Sequence, residues 1–213
     1  KNWCTFSSVG TRASSLANGN LEVTPAPSGS ASTTMSVSSG KWYMELTRDG
    51  GTNNEAAIYI AQNSSKFMQG NIHGDATGNI GTFSGYWGFN GNVLDNDTAY
   101  PGRSYGDTYT SGDIISCALD LDNKAVWWAK NGTWQNSATE AEIEAADTSN
   151  AAQASLAVGR WFFVYSASPS FKGLGNFGQL AYSHSVPDGF LDINTANLAT
   201  PTILDGTEYF QPT

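Results

Sequence analysis

The sequence predicts an all-β protein of many short strands with little helix, of a size at which a single sandwich is ordinary. Its composition points that way, with 23 glycines among 213 residues, 12% aromatic and only 14% charged residues, the make-up of short strands joined by turns. Two segments, GKWYMELT and DIISCALDL, alternate with the period of two that a strand requires. Asn-Gly, Asp-Asn and Pro-Gly pairs punctuate the chain between such segments. A single sandwich of this length can bury a sizeable core without disulfide staples.

Residues 1–39 are rich in Ser, Thr, Gly and Asn, with a turn signal at Asn18-Gly19-Asn20 and a short alternating run at Leu21-Glu22-Val23 before Pro25 and Pro27. This stretch is expected to add one or two edge strands. The main body spans 40–193. It opens on GKWYMELT, where Trp42, Met44 and Leu46 share one face and Tyr43, Glu45 and Thr47 the other. AAIYIA (56–61) follows, then a Gly/Asn-rich run of short strands around Tyr86-Trp87-Gly88-Phe89, and a turn signal at Pro101-Gly102.

DIISCALDL puts Ile115, Cys117, Leu119 and Leu121 on one face, and Asp122-Asn123-Lys124 reverses the chain into AVWWAK, which Asn131-Gly132 ends. The pair reads as a β-hairpin. The Ala/Glu-rich run 138–154 breaks the pattern and is expected to be a loop excursion with one or two helical turns. Strand character returns at Ser155–Val158 and Trp161–Tyr165, and the Gly-rich Lys172–Gln179 leads to a turn at Val186-Pro187-Asp188-Gly189. Residues 194–213 carry Pro201 and Pro212 with little alternation and read as a connector to a following segment. The chain starts at Lys1 rather than Met, as expected of a processed or excised product.

A net charge of −9 repels phosphate backbones and anionic lipid, so neither nucleic-acid binding nor membrane insertion is expected. Cys4 and Cys117 are too few for a disulfide framework or a thiolate site. Asp120, Asp122 and Asn123 resemble the start of a calcium loop, but Ala125 and Asn131 stand where a glycine and a bidentate Glu are needed. Those acids therefore read as turn chemistry, and no metal or cofactor is expected. His73 and His184 stand apart, and Ser183-His184-Ser185 lacks a nucleophile elbow. Glu45, Asp120 and the acids of 138–154 offer no legible catalytic pair. The sequons at Asn63, Asn96 and Asn131 match what chance gives in so Asn-, Ser- and Thr-rich a chain.

Adjacent tryptophans on one strand point to opposite faces. Trp128 should share the core with Val126, which leaves Trp127 either exposed for stacking on a sugar or a partner, or covered by a neighbouring loop. With aromatic and basic residues from AYPGRSYGD and the end of the hairpin, the candidate binding residues are Trp127, Tyr100, Arg103, Tyr105 and Trp134.

In order, GKWYMEL, YWGF, YGD, GDIISCALDLDNKAVWWAKNG, FFVYS, NFGQ and VPDGF resemble the SPRY (B30.2-like) family, over roughly residues 40–190. Gly112–Gly132 is the most specific part. Trp127 departs from that pattern, standing where the family usually has a small or polar residue, and 138–154 falls where the family varies in length. The resemblance implies a concanavalin A-like bent sandwich of two antiparallel sheets whose rim loops bind proteins or other ligands without catalysis, and it transfers no partner-binding residue one by one. The composition and the DGTEYFQPT tail also resemble a module of a bacteriophage virion protein such as a tail or head fibre. The expected function is a non-enzymatic attachment, decoration or assembly module on a virion surface. Its expected partners are another protein, including other virion proteins, or a host-surface glycan. The alternatives are an intracellular SPRY protein-interaction module, hence cytoplasmic, and a carbohydrate-binding or carbohydrate-cleaving jelly roll.

Overall fold

A computed structural model of the chain describes residues 1–51, 56–62, 82–95 and 98–198, with backbone alone at 10–13, 27–28 and 98–101. The strands are β1 (Phe6–Ala17), β2 (Glu22–Thr33), β3 (Lys41–Asp49), β4 (Ala56–Ala61), β5 (Phe83–Trp87), β6 (Asn92–Asp95) and β7 (Thr98–Ser104), followed by β8 (Ile114–Asp120), β9 (Ala125–Lys130) and β10 (Thr133–Trp134). A short helix, α1 (Glu140–Glu144), precedes β11 (Phe162–Ala167) and β12 (Lys172–Asn176). His73, Asn63, Asn96 and the tail beyond 198 lie outside the described residues.

The strands form two antiparallel sheets of seven. One runs β10-β9-β8-β3-β12-β2-β1 and the other β7-β6-β5-β4-β11-β2-β1. The two share β1 and β2. Glu22 and Val23 of β2 pair with β12, while Gly29–Ser32 of the same strand pair with β11. The β1 strand follows β2 through two register shifts, between Phe6 and Thr11 and between Arg12 and Ser14, irregularities that bend a strand. The expectation that residues 1–39 add only edge strands is therefore corrected, because β2 lies between β11 and β12. Its small residues, such as Gly29, Ser30 and Ala31, show no alternation by which the sequence could announce a central strand.

The core lies between the sheets. Met44, Leu46, Ile115, Cys117, Leu119, Val126 and Trp128 from one side meet Ile58, Ile60, Phe163 and Tyr165 from the other. Each large apolar side chain so buried contributes roughly 1.5–3 kcal/mol. The β8–β9 hairpin keeps the expected facing, its register setting Cys117 opposite Trp128 and Ala118 opposite Trp127. Lys124 (φ 59°) and Asn131 (φ 49°) take the left-handed conformations that its two turns require.

Two local expectations shift. Pro101-Gly102 lies inside β7 rather than in a turn; β7 ends its sheet, and an edge strand tolerates a proline. Ser155–Val158 is loop, and strand resumes at Phe162. The 138–154 excursion does carry one helical turn. Thr139 caps it, accepting from the Glu142 amide at 3.2 Å while the Glu142 carboxylate accepts from the Thr139 amide at 2.7 Å.

Candidate functional site

The acidic turn of the β8–β9 hairpin is structural. Asp120 is fully buried; its Oδ1 accepts the amides of Asp122 (3.1 Å) and Asn123 (2.9 Å), and its Oδ2 the Asn123 side chain (2.9 Å). Lys41 Nζ adds an ion pair at 3.5 Å. The lone pairs a cation would need are spent on the turn itself. At the other end of the hairpin, Asn131 Oδ1 accepts the Ile114 amide at 2.9 Å and its Nδ2 donates to Asp113 at 2.8 Å. Partial burial raises the Asp113 pKa, but the Thr110 amide, Asn131 and Lys130 outweigh it and leave the carboxyl below its usual range.

The tryptophan pair divides between two cores. Trp128 packs between the sheets, and Trp127 lies on the outer face of its sheet with Tyr43 and Ala118. That face is not open. Ala138, Ile143 and Ala151 of the excursion and Phe190 of the chain after β12 cover it, and Trp127 is 0% exposed. The reading of Trp127 as an exposed stacking platform is corrected: the excursion is the lid over this indole.

Tyr105 is corrected in the same way, being 5% exposed. Its hydroxyl accepts the Trp128 amide at 3.0 Å, its ring meets Tyr86 edge-on, and burial pushes its pKa up. It ties the chain after β7 to β9. Gln135 makes a second tie, its Oε1 accepting the Asp107 amide at 2.7 Å just beyond β10. The ends of β7 and β10, from opposite sheets, thus come together along one side. Of the candidates on these strands, Arg103 presents 39% of its side chain to solvent beside Asp95 (3.6 Å), and Trp134 is half-buried. Tyr100 lies in β7, with its side chain outside the described residues.

Sequence reasoning missed how three polar residues are used. Glu45, 2% exposed on the outer face of β3, accepts the amides of Ser183 (2.8 Å) and His184 (2.9 Å) and the Tyr43 hydroxyl (3.2 Å). It clasps the segment after β12 to the sheet. Arg48 is buried, donating to Tyr109 O at 3.0 Å with its guanidinium 4.7 Å from the Phe171 ring centre. His184 is half-buried, its ring against Gly132. The only signal of the Glu45 clasp was an acid at an otherwise aromatic and apolar position of KWYMEL. Among the described residues no cluster of three or more His, Cys, Asp or Glu side chains could hold a metal ion.

The SPRY domain family model matches residues 41–146, from the start of β3 through α1. The protein carries a SPRY domain. Two solved SPRY structures are similar to the fold. One is the SPRY domain of human HERC1, with a TM-score of 0.58 at 18% identity, covering 83% of this chain and 99% of that one. The other is the TRIM65 PSpry domain, with a TM-score of 0.52 at 13% identity, covering 83% of this chain and 92% of that one. SPRY domains mediate protein–protein interaction and are generally binding modules rather than enzymes. The SPRY fold here extends beyond the matched stretch, since β2, β11 and β12 complete both of its sheets.

Proposed function

We propose that this SPRY domain is a non-catalytic module that binds another protein through side chains carried on its rim loops and edge strands. The use of its buried charges supports this reading. Glu45 and Asp120 spend their carboxylates on backbone amides, and Arg48 donates to a backbone carbonyl. These are the roles of a rigid scaffold, and a scaffold leaves recognition to its surface. Among the candidates with described side chains, Arg103 and Trp134, on the side where the two sheets meet, are the ones that reach solvent.

The Gly-, Ser-, Thr- and Asn-rich composition favours a particle-surface setting, such as attachment or decoration on a virion, over an intracellular one. Immunogold labelling of intact particles tests the setting. Selection from a random peptide display library tests the module. Recovery of a short peptide consensus, with binding weakened by Arg103→Ala or Trp134→Ala, supports it. Failure to enrich any peptide, together with binding to a glycan array, favours the carbohydrate reading instead.

A further inference from the structure

One end of the sandwich holds a small socket built from three loops. The stretch before β3, the β8–β9 turn and the stretch before β11 are bonded to one another through their backbones. Val37 and Trp161 exchange N–H···O bonds of 2.9 and 2.7 Å, the Leu121 amide donates to Gly40 O at 3.0 Å, and the Leu156 amide to Lys124 O at 2.9 Å. The walls are therefore set without the socket being filled. A cavity of about 30 Å³ lies between them, with Leu121, Leu156 and Trp161 among its lining residues. Leu156 and Trp161 are buried, while Val158, which also lines it, is 84% exposed. The Ala157 carbonyl of the same loop already accepts from Trp161 Nε1 (3.1 Å) and Gln62 Nε2 (2.8 Å). The space suits a methyl group or two.

Its electrostatics run against the rest of the molecule. On a chain of net charge −9, the socket has exposed Lys124 in its wall and exposed Arg160 between two of its lining residues. Neither has an ion-pair partner among the described residues. The neighbouring acid, Asp122, has Oδ1 engaged by the Gly40 amide at 2.8 Å. A small hole with Leu121, Leu156 and Trp161 in its walls, flanked by two cations that have no ion-pair partner among the described residues, is complementary to an acidic chain bearing a small apolar side chain.

We infer that this socket docks an acidic segment of a partner protein, which inserts one alanine- or valine-sized side chain between Leu156 and Trp161 while its carboxylates meet Lys124 and Arg160. The inference rests on the reading of the fold as an interaction module and names a surface for it. Two probes test it on the isotope-labelled protein by amide NMR: an acetylated pentapeptide of one valine between glutamate pairs, and its counterpart with lysine pairs. The expected result is that the glutamate peptide shifts the amides of Ser38, Lys124 and 156–161. The lysine peptide leaves them in place. The double variant Lys124→Glu/Arg160→Glu, whose exposed positions leave the remaining spectrum intact, should weaken the glutamate peptide at least tenfold and admit the lysine one.

Equal response to both peptides, shifts centred elsewhere, no response to the glutamate peptide, or less than a twofold change in the double variant would each overturn it. A partner selected by display that binds wild type and double variant alike also overturns the socket, while leaving the module reading intact.

Discussion

The Glu45 carboxylate accepts the backbone amide of Ser183 at 2.8 Å, joining the middle of β3 to the chain after β12 across 138 positions of sequence. With the His184 amide and the Tyr43 hydroxyl on the same carboxylate, one buried acid holds down the segment that brings Phe190 over the outer core. Glu45→Ala takes the acceptor from all three donors and strands the buried Tyr43 hydroxyl, so a loss of about 2–3 kcal/mol is expected in urea unfolding. Glu45→Gln keeps an acceptor and should lose about half as much. A loss below about 1 kcal/mol for Glu45→Ala would show that the clasp is slack.

Both hairpin tryptophans should now be costly to remove. Trp128→Ala and Trp127→Ala are each expected to lose about 3–5 kcal/mol, one opening the inner core and the other the space beneath α1. The two differ in what loosens: Trp127→Ala should speed amide hydrogen exchange at Ile143 and Ala145, whereas Trp128→Ala should speed it along β4 and β11. The Trp127 indole N–H has no acceptor among the described residues, so Trp127→Phe should retain most of the stability.

How much of this was legible in the sequence follows from where each signal resides. The β8–β9 hairpin and the opposite facing of Trp127 and Trp128 were readable because strand alternation and positive-φ turn residues are local properties. The burial of Trp127 was not, because its cover comes from Ile143 and Phe190, far along the chain, in segments with no strand period. The central place of β2 was hidden for a related reason. Its partners β11 and β12 choose it by backbone hydrogen bonding, and small residues such as Ser30 and Gly29 advertise no face. Arg103 and Trp134 keep part of their side chains in solvent, while the burial of Tyr105 was hidden because a tyrosine hydroxyl bonded to a buried amide looks in sequence like any loop tyrosine.

Acid should weaken the fold in part through Asp113. Its folded pKa is lowered relative to the unfolded chain by the Thr110 amide, Asn131 and Lys130, against the opposing effect of burial. The stabilisation is therefore present above the unfolded carboxyl value, about 3.9, and is lost as pH falls through the depressed folded value. Unfolding midpoints between pH 5 and pH 2.5 should drop more steeply for wild type than for Asp113→Asn. Parallel curves would assign the acid sensitivity to other carboxyls.

At high pH the sign reverses. Burial raises the folded pKa values of Tyr43, Tyr86, Tyr105, Tyr109 and Tyr165. Their stabilising effect is full below the unfolded tyrosine value of about 10 and declines as pH rises beyond it. Phenolate absorbance near 295 nm should therefore rise in one step with unfolding rather than as independent titrations. The Cys4 thiol, pushed up to about 11 by burial, should resist a thiol reagent at pH 8 until the protein is denatured.

The sharing of β2 by both sheets has a consequence for synthesis. Thr33 Oγ1 receives the amide of Phe163, 130 residues later, so a chain emerging from a ribosome must hold β2 without that neighbour until those 130 further residues have been made. Neither sheet can be finished early and stored as a folded half. The sandwich is closed by its last strands around one of its first, and its assembly is a single late event rather than a succession of completed parts.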